Sequence, residues 1–393
     1  MKHVILSFVF LSVFFSTTRN YAEPLLKKES IFPLQEKHVH SSSIVECSNG
    51  DLLVCWFYGS GERTADDVRI QGSRLRNGST QWETVFEMAD TPGFADCNPV
   101  LFVDSANRLW LFWVTVLAQR WQESILKYRI SDDYLGAGAP QWTWQDIITL
   151  KPGDIFEKTV RDGFAELADE PLWAEYALPY YKNIITASAD AAKRQTGWMT
   201  RIHPFVLPSG RILLPLYSDG YCLGLVAISD DDGKSWRASA PMVGYGLNQP
   251  SIVQKQDGSL LAYMRNEGTA SKRVPVSTSV DNGETWSYAV DSDIPNPGSS
   301  LEVIQIHSGS WLMIYNDTEE GRHRLAAALS DDEGKTWKWH RYIARSAKGV
   351  KSFSYPSVIQ SRDKLIHLTY SYDDGENETI RYAIFNLDWL REK

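Results

Sequence analysis

From about residue 40 onward the chain reads as short runs, either alternating apolar and polar at every residue or apolar throughout, separated by tight polar turns. The runs turn at Asn49-Gly50, Ala106-Asn107, Ser209-Gly210, Asp257-Gly258, Ser308-Gly309 and Arg362-Asp363. A second β-rich run follows each turn, as in Arg211-Ile212-Leu213-Leu214 and Ser259-Leu260-Leu261, so the pattern predicts about six hairpins. The interval between the second and third hairpins is about twice the others. Its excess, roughly residues 151–198, is rich in Ala, Glu, Lys and Leu and lacks strand alternation, which predicts a mostly helical insertion.

A second pattern is spelled more tightly. Ser229-Asp230-Asp231-Asp232-Gly233-Lys234-Ser235-Trp236, Ser279-Val280-Asp281-Asn282-Gly283-Glu284-Thr285-Trp286 and Ser330-Asp331-Asp332-Glu333-Gly334-Lys335-Thr336-Trp337 all read S-x-D-x-G-x-x-W. The aspartate accepts turn N–H groups, the glycine supplies a positive φ, and the tryptophan anchors the turn into the sheet stack, so the motif is structural. Its period of about 50 residues is the length of one propeller blade. The prediction is an all-β, six-bladed β-propeller over residues 23–393, with the helical insertion between blades two and three.

Residues 1–22 run from Lys2 and His3 through an apolar stretch, Val4 to Phe15, to a polar segment ending near Ala22. That is the layout of a secretory signal, so the protein is expected to be secreted or periplasmic, and no later segment is apolar for long enough to span a membrane. A net charge of -9 leaves no basic field for nucleic acid. Cys47, Cys55, Cys97 and Cys222 lack C-x-x-C spacing, which argues against zinc and dithiol chemistry. Cys47 and Cys55 fall out of register across their hairpin by one residue, which argues against a disulfide. No metal motif and no phosphate-cradling glycine loop is present, so no metal or organic cofactor is expected.

The S-x-D-x-G-x-x-W turns resemble the Asp boxes, or BNR repeats, of sialidases and related propellers. The run Gly197-Trp198-Met199-Thr200-Arg201-Ile202-His203-Pro204 through Leu214-Pro215-Leu216-Tyr217-Ser218-Asp219 is similar to a bacterial group of sialidase-like exo-glycosidases. The resemblance implies hydrolysis of a glycan, with a Tyr nucleophile, a carboxylate beside it and arginines that grip a sugar carboxylate. In sialidases an Arg-Ile-Pro motif precedes the first blade. Here Arg201-Ile202-His203-Pro204 lies mid-chain and carries an extra His.

Strands alternate in direction within a blade, so both kinds of turn share one face and the other face is the mouth. There the inner strands start at His40, Asn98, Arg201, Asn248 with Gln249, Ser300 and Tyr355. The second strands end there at Tyr58, Tyr217 with Asp219, Arg265, Tyr315 with Asn316, and Tyr370. A polar, charged and aromatic set at the tapering centre reads as a working site, where a purely structural layer would favour small apolar residues. The bland alternative is a set of strand-end caps at a wet channel.

Glycosidic hydrolysis needs an acid and a nucleophile or base. Arg201 and Arg265 occupy corresponding mouth positions on successive blades and are candidates to converge on one anion, with Arg63, Arg69 and Arg381 as possible substitutes for a third arginine. Asp67 is the favoured acid, with Asp66 and Asp219 as competitors. Under the resemblance, Tyr355 or Tyr315 would be the nucleophile and Glu302 its polarising carboxylate. His40, Asn98, His203, Tyr217, Asn248, Gln249, Tyr315, Asn316 and Tyr370 are the candidate substrate contacts. The leading reading is exo-cleavage of a terminal acidic sugar, sialic acid or uronate. Two rivals remain: a polysaccharide lyase using His40, His203 and Tyr217, and a non-catalytic glycan-binding propeller using some of the 15 Trp and 18 Tyr.

Overall fold

The computed structural model describes residues 23–167, 180–267 and 270–392; the expected signal, residues 1–22, lies outside them. Six four-stranded antiparallel sheets form the blades of one propeller. Blades one to five span residues 38–89, 95–147, 205–238, 247–295 and 302–345. Blade six takes three strands from residues 352–385, and its outermost strand is Leu26–Ser30, paired antiparallel with Glu378–Phe385. Joining the two ends of the described chain in one sheet closes the ring without leaving a free end blade.

All six hairpin turns sit where the alternation breaks. In each, a left-handed residue donates its N–H three residues back: Gly50 to Cys47, Asn107 to Asp104, Gly210 to Leu207, Gly258 to Lys255, Gly309 to Ile306 and Lys364 to Ser361. Apolar side chains of neighbouring blades meet between the sheets, with Trp56, Trp110, Trp113 and Trp311 all essentially buried. All four cysteines are buried, small fillers of this packing.

The S-x-D-x-G-x-x-W turns share one hydrogen-bond scheme. Asp231 accepts from Ser235 N at 2.9 Å and Ser235 Oγ at 2.6 Å, while Gly233 N donates to Ser229 Oγ at 2.8 Å. Asp281 and Asp332 repeat it. Each turn then packs on the preceding blade. Gly233 has φ 82°, and a Cβ there would stand 2.4 Å from Trp110 Cη2. Gly233→Ala is therefore expected to cost about 1–3 kcal/mol through backbone strain alone, with the clash added. Thermal denaturation checks this, and an unchanged Tm would show that the turn is not held as described.

Between the last strand of blade two, Trp144–Ile147, and the first of blade three, Phe205–Val206, run the helices Asp154–Glu166, Tyr180–Ser188 and Ala191–Arg194. They pack on the loops at the mouth ends of blades three and four. Phe156 meets Tyr221 edge-on, Phe164 meets Tyr245, and Tyr221 Oη donates to Ala187 O.

Candidate functional site

Four inner strands are interrupted at the mouth by a β-bulge, between His40 and Ser43, Cys97 and Val100, Asn248 and Ser251, and Ser354 and Ser357. The first residue of each bulge is left-handed: Ser41, Asn98, Gln249 and Tyr355, with φ of 57°, 51°, 55° and 53°. A bulge re-aims the side chain that follows the ladder, and here it turns polar groups toward the axis. In three of the four the next residue is proline, Pro99, Pro250 and Pro356, which has no N–H for the interrupted ladder to satisfy.

Tyr355 is the centre of the resulting cluster. Its hydroxyl accepts from Arg265 Nη1 at 2.8 Å, and Gln249 Nε2 lies 3.4 Å away. The guanidinium carbons of Arg201 and Arg322 sit 5.0 and 5.4 Å from its ring centroid, and the His40 ring is 4.1 Å away. Burial, then the charges of His38, Arg322, Arg201 and Arg265, push the His40 ring well below its usual range, so it stays neutral. Arg265 is itself paired with Glu267. Beside this group Asn98 Nδ2 donates to Tyr217 Oη at 2.8 Å. Burial, then the Asp219 charge, hold the Tyr217 phenol well above its ordinary value, which makes it a hydrogen-bonding group and a poor nucleophile.

Beneath Tyr355 the polar groups change character. Arg201 is buried and donates to Ser42 O at 3.2 Å and Pro356 O at 2.8 Å, tying the bulges of blades one and six together. Further in, Glu302 Oε1 lies 2.6 Å from His203 Nδ1, Glu302 Oε2 accepts from Val358 N at 2.7 Å, and His203 Nε2 is 2.9 Å from Ile44 O. Glu302 therefore links the inner strands of blades five, six, three and one. It does not polarise Tyr355, contrary to expectation, because on its strand it sits level with Val358. Arg201 and His203 are likewise axial supports, their hydrogen bonds made with backbone carbonyls, Glu302 and the Ser43 hydroxyl.

The other expected contacts divide by strand parity. Tyr217 and Arg265 stand seven residues beyond the left-handed turn residues Gly210 and Gly258, and both reach the Tyr355 group. Tyr315 and Tyr370 stand six beyond Gly309 and Lys364, so they point to the other sheet face. Tyr315 is buried among Val303, Trp311 and Met313, and Tyr370 packs on Phe353. Asn316 has the right parity, but its amide donates to Arg324 O and Phe353 O and fastens blade five to blade six. Asn248 is buried opposite Arg265, with its Oδ1 unpartnered.

Asp67 is corrected too. It is half-exposed and bound to Lys37 Nζ at 2.7 Å, Ser60 N at 2.8 Å and Ser60 Oγ at 2.7 Å, which depress its pKa far below the carboxylate range. A carboxyl so held keeps no proton to donate near neutral pH. Asp219 pairs with Arg63 Nη2 at 2.8 Å. Glu62, on the same loop as Asp67, does reach the mouth. Its charge is felt at Arg322, and it lies 3.5 Å from His38 Nε2.

His38 stands between Glu62 and Glu378. Burial opposes its charged form, but hydrogen bonds to the two carboxylates outweigh that and raise its pKa to about 10. The stabilisation is complete below the ordinary value of 6.5 and is lost as pH climbs toward about 10. Wild type should therefore lose Tm relative to His38→Gln across that window. Parallel Tm profiles would remove the charged His38 from this account.

Comparison with known proteins places this geometry. A model of the BNR repeat-like domain matches residues 50–181 and 189–368. The chain belongs to the BNR repeat-like family. This BNR repeat-like chain is 28% identical over 172 residues to a sialidase of Micromonospora viridifaciens, and 40% identical over 188 residues to an anhydrosialidase of Macrobdella decora. These matches take in 41% and 42% of the chain but only 25% and 24% of the relatives, so it spans about a quarter of their length. Among solved structures, a Dyadobacter fermentans protein of unknown function superposes with a TM-score of 0.67 at 15% identity, covering 92% of this chain and 99% of that one. A leech intramolecular trans-sialidase gives 0.65 at 15%, covering 90% and 68%. At such identities the superpositions speak to the fold alone.

The BNR repeat-like propeller also holds a residue that the sequence reading passed over. Arg322 lies in the loop between the second and third strands of blade five, bound to Gly298 O at 3.0 Å. It supplies the additional guanidinium sought at Arg63, Arg69 and Arg381. Arg69 instead faces Glu87 at 3.8 Å, and Arg381 lies over the Tyr372 ring at 4.4 Å. No motif marks Arg322. The available signals were the Gly321-Arg322 turn at the mouth end of blade five and, for the bulges, the dipeptides Asn98-Pro99, Gln249-Pro250 and Tyr355-Pro356.

Proposed function

We propose that this chain is an exo-acting glycoside hydrolase that removes a terminal acidic sugar, sialic acid or a uronate, from a glycan. The observation that carries the reading is Tyr355, with its hydroxyl on Arg265 and its ring beside Arg322 and Arg201. In this reading Arg265 and Arg322 hold the sugar carboxylate by charge-assisted hydrogen bonds and set the anomeric carbon over Tyr355 Oη. The tyrosine oxygen attacks that carbon and loses its phenolic proton to water at the mouth, while Glu62 gives a proton to the leaving oxygen; water then attacks the same carbon, passing a proton to Glu62, and the tyrosine oxygen departs and takes a proton back from solvent. Glu62 is better placed for that task than Asp67 or Asp219, because Asp67 is tied to Lys37 and Ser60 and Asp219 to Arg63, whereas Glu62 stands at the mouth with its charge felt at Arg322. Asn98, Tyr217 and Gln249 line the sugar site. The helices Asp154–Glu166, Tyr180–Ser188 and Ala191–Arg194 wall the mouth, and residues 1–22 direct export.

The test is a panel of aryl sialosides, aryl uronides and acidic oligosaccharides given to the purified protein. Release of the free acidic sugar from a chain end supports the reading. Accumulation of unsaturated uronate, seen by its ultraviolet absorbance, would replace it with the lyase, and binding without turnover would replace it with a lectin-like role.

A further inference from the structure

The blade-one loop from Ser60 to Asp67 is built to reach outward. Its neck is closed by Asp67, which accepts from both Ser60 N and Ser60 Oγ, and its tip is a tight turn in which Thr64 N and Ala65 N both donate to Gly61 O. Glu62 and Arg63 stand at that tip. Arg63 then extends over blade two, its guanidinium 4.6 Å from the Trp121 ring centroid, and ends on Asp219 of blade three. Trp121 Nε1 donates to Glu62 O at 3.1 Å, which fixes the loop from below. One side chain thus spans three blades across the rim of the mouth. Arg63 is 56% exposed whereas Asp219 is 19% exposed, so the bridge lies at the outer lip with its acidic end turned inward.

A planar guanidinium that is stacked on one face and hydrogen-bonded at its edge has little freedom left. It is a strap, and it bars the rim over blade two. We propose that the Arg63–Asp219 bridge, stacked on Trp121, restricts the site to chain ends by preventing a glycan from lying across the mouth on the blade-two side. The inference rests on the hydrolase reading above and concerns which bonds are admitted. An acidic glycan with the recognised sugar in mid-chain would have to pass where Arg63 stands; a terminal sugar enters from above.

The experiment uses the full chain and its Arg63→Ala variant on one substrate, an oligosaccharide carrying the acidic sugar at its end and at internal positions. Products are sorted by length. The ratio of internal to terminal cleavage is expected to rise about tenfold or more in the variant, whatever the total rate. An unchanged ratio overturns the proposal while leaving the hydrolase reading intact. Amide exchange over residues 60–67 gives a readout that needs no turnover. Faster exchange in the variant is expected, and equal exchange would show that the bridge does not hold the loop. Should wild type cleave nothing, it is the hydrolase reading that fails, and the exchange result still decides whether the strap exists.

Discussion

Tyr355→Phe should fold normally and lose turnover, with kcat falling on the order of 10³-fold or more and KM little changed. The fold is expected to persist because the ring keeps its place: the Arg201 and Arg322 guanidiniums lie against it and His40 touches it at 4.1 Å, none of which needs the hydroxyl. KM is expected to hold because the carboxylate is gripped by Arg265 and Arg322, whose charges are untouched. What disappears is the one oxygen placed at the tip of that ring, 2.8 Å from Arg265 Nη1. Steady-state kinetics on an aryl glycoside, beside a thermal melt of the variant, make the measurement. A kcat near wild type in a folded variant would move the nucleophile elsewhere, and Tyr217, whose phenol is held strongly neutral, is a poor replacement.

Arg322→Ala should cost about 2–5 kcal/mol of transition-state binding, or roughly 30- to 5,000-fold in kcat/KM. Arg322 is anchored by a single hydrogen bond to Gly298 O, so other donors of its guanidinium remain for a ligand. Burial pulls its pKa down, yet a guanidinium starts so far above neutrality that the charge persists at neutral pH. Removing it leaves Arg265 to hold the anion alone, in a site where His40 is neutral. Comparing an acidic aryl glycoside with its neutral analogue isolates the effect: the loss should fall on the acidic substrate. An equal loss on both would make Arg322 a support for Tyr355 and remove it from anion recognition.

Much of this protein was legible in its sequence for one reason: the interactions concerned are short-ranged. A hairpin turn closes within three residues, and the Ser229–Trp236 turn satisfies its own donors within the motif, so composition and spacing carry the information. The same locality placed His40, Asn98, Gln249, Arg265 and Tyr355 at the mouth, since each stands at a countable distance from a turn.

Which of those residues face one another was another matter. Tyr315 and Tyr370 were misplaced by a single step of strand parity, because a one-residue shift sends a side chain to the opposite sheet face. Asp67 and Glu302 were misassigned for a different reason. Their partners, Lys37 and His203, lie 30 and 99 residues away, and the spacing of either carboxylate says nothing of which cation it will meet. Arg322 was invisible because its value lies wholly in approaching Tyr355 from the neighbouring blade.

Six blades, their turns and the face that carries the mouth therefore follow from local pattern, in which each residue's role depends on neighbours within a few positions. The convergence of Arg265, Arg322, His40 and Gln249 on Tyr355, the Glu302–His203 support beneath it and the Arg63 strap above were decided only by ring closure. That closure brings together side chains from different blades, and their distance and facing depend on bulges and sheet parity accumulated over the whole chain.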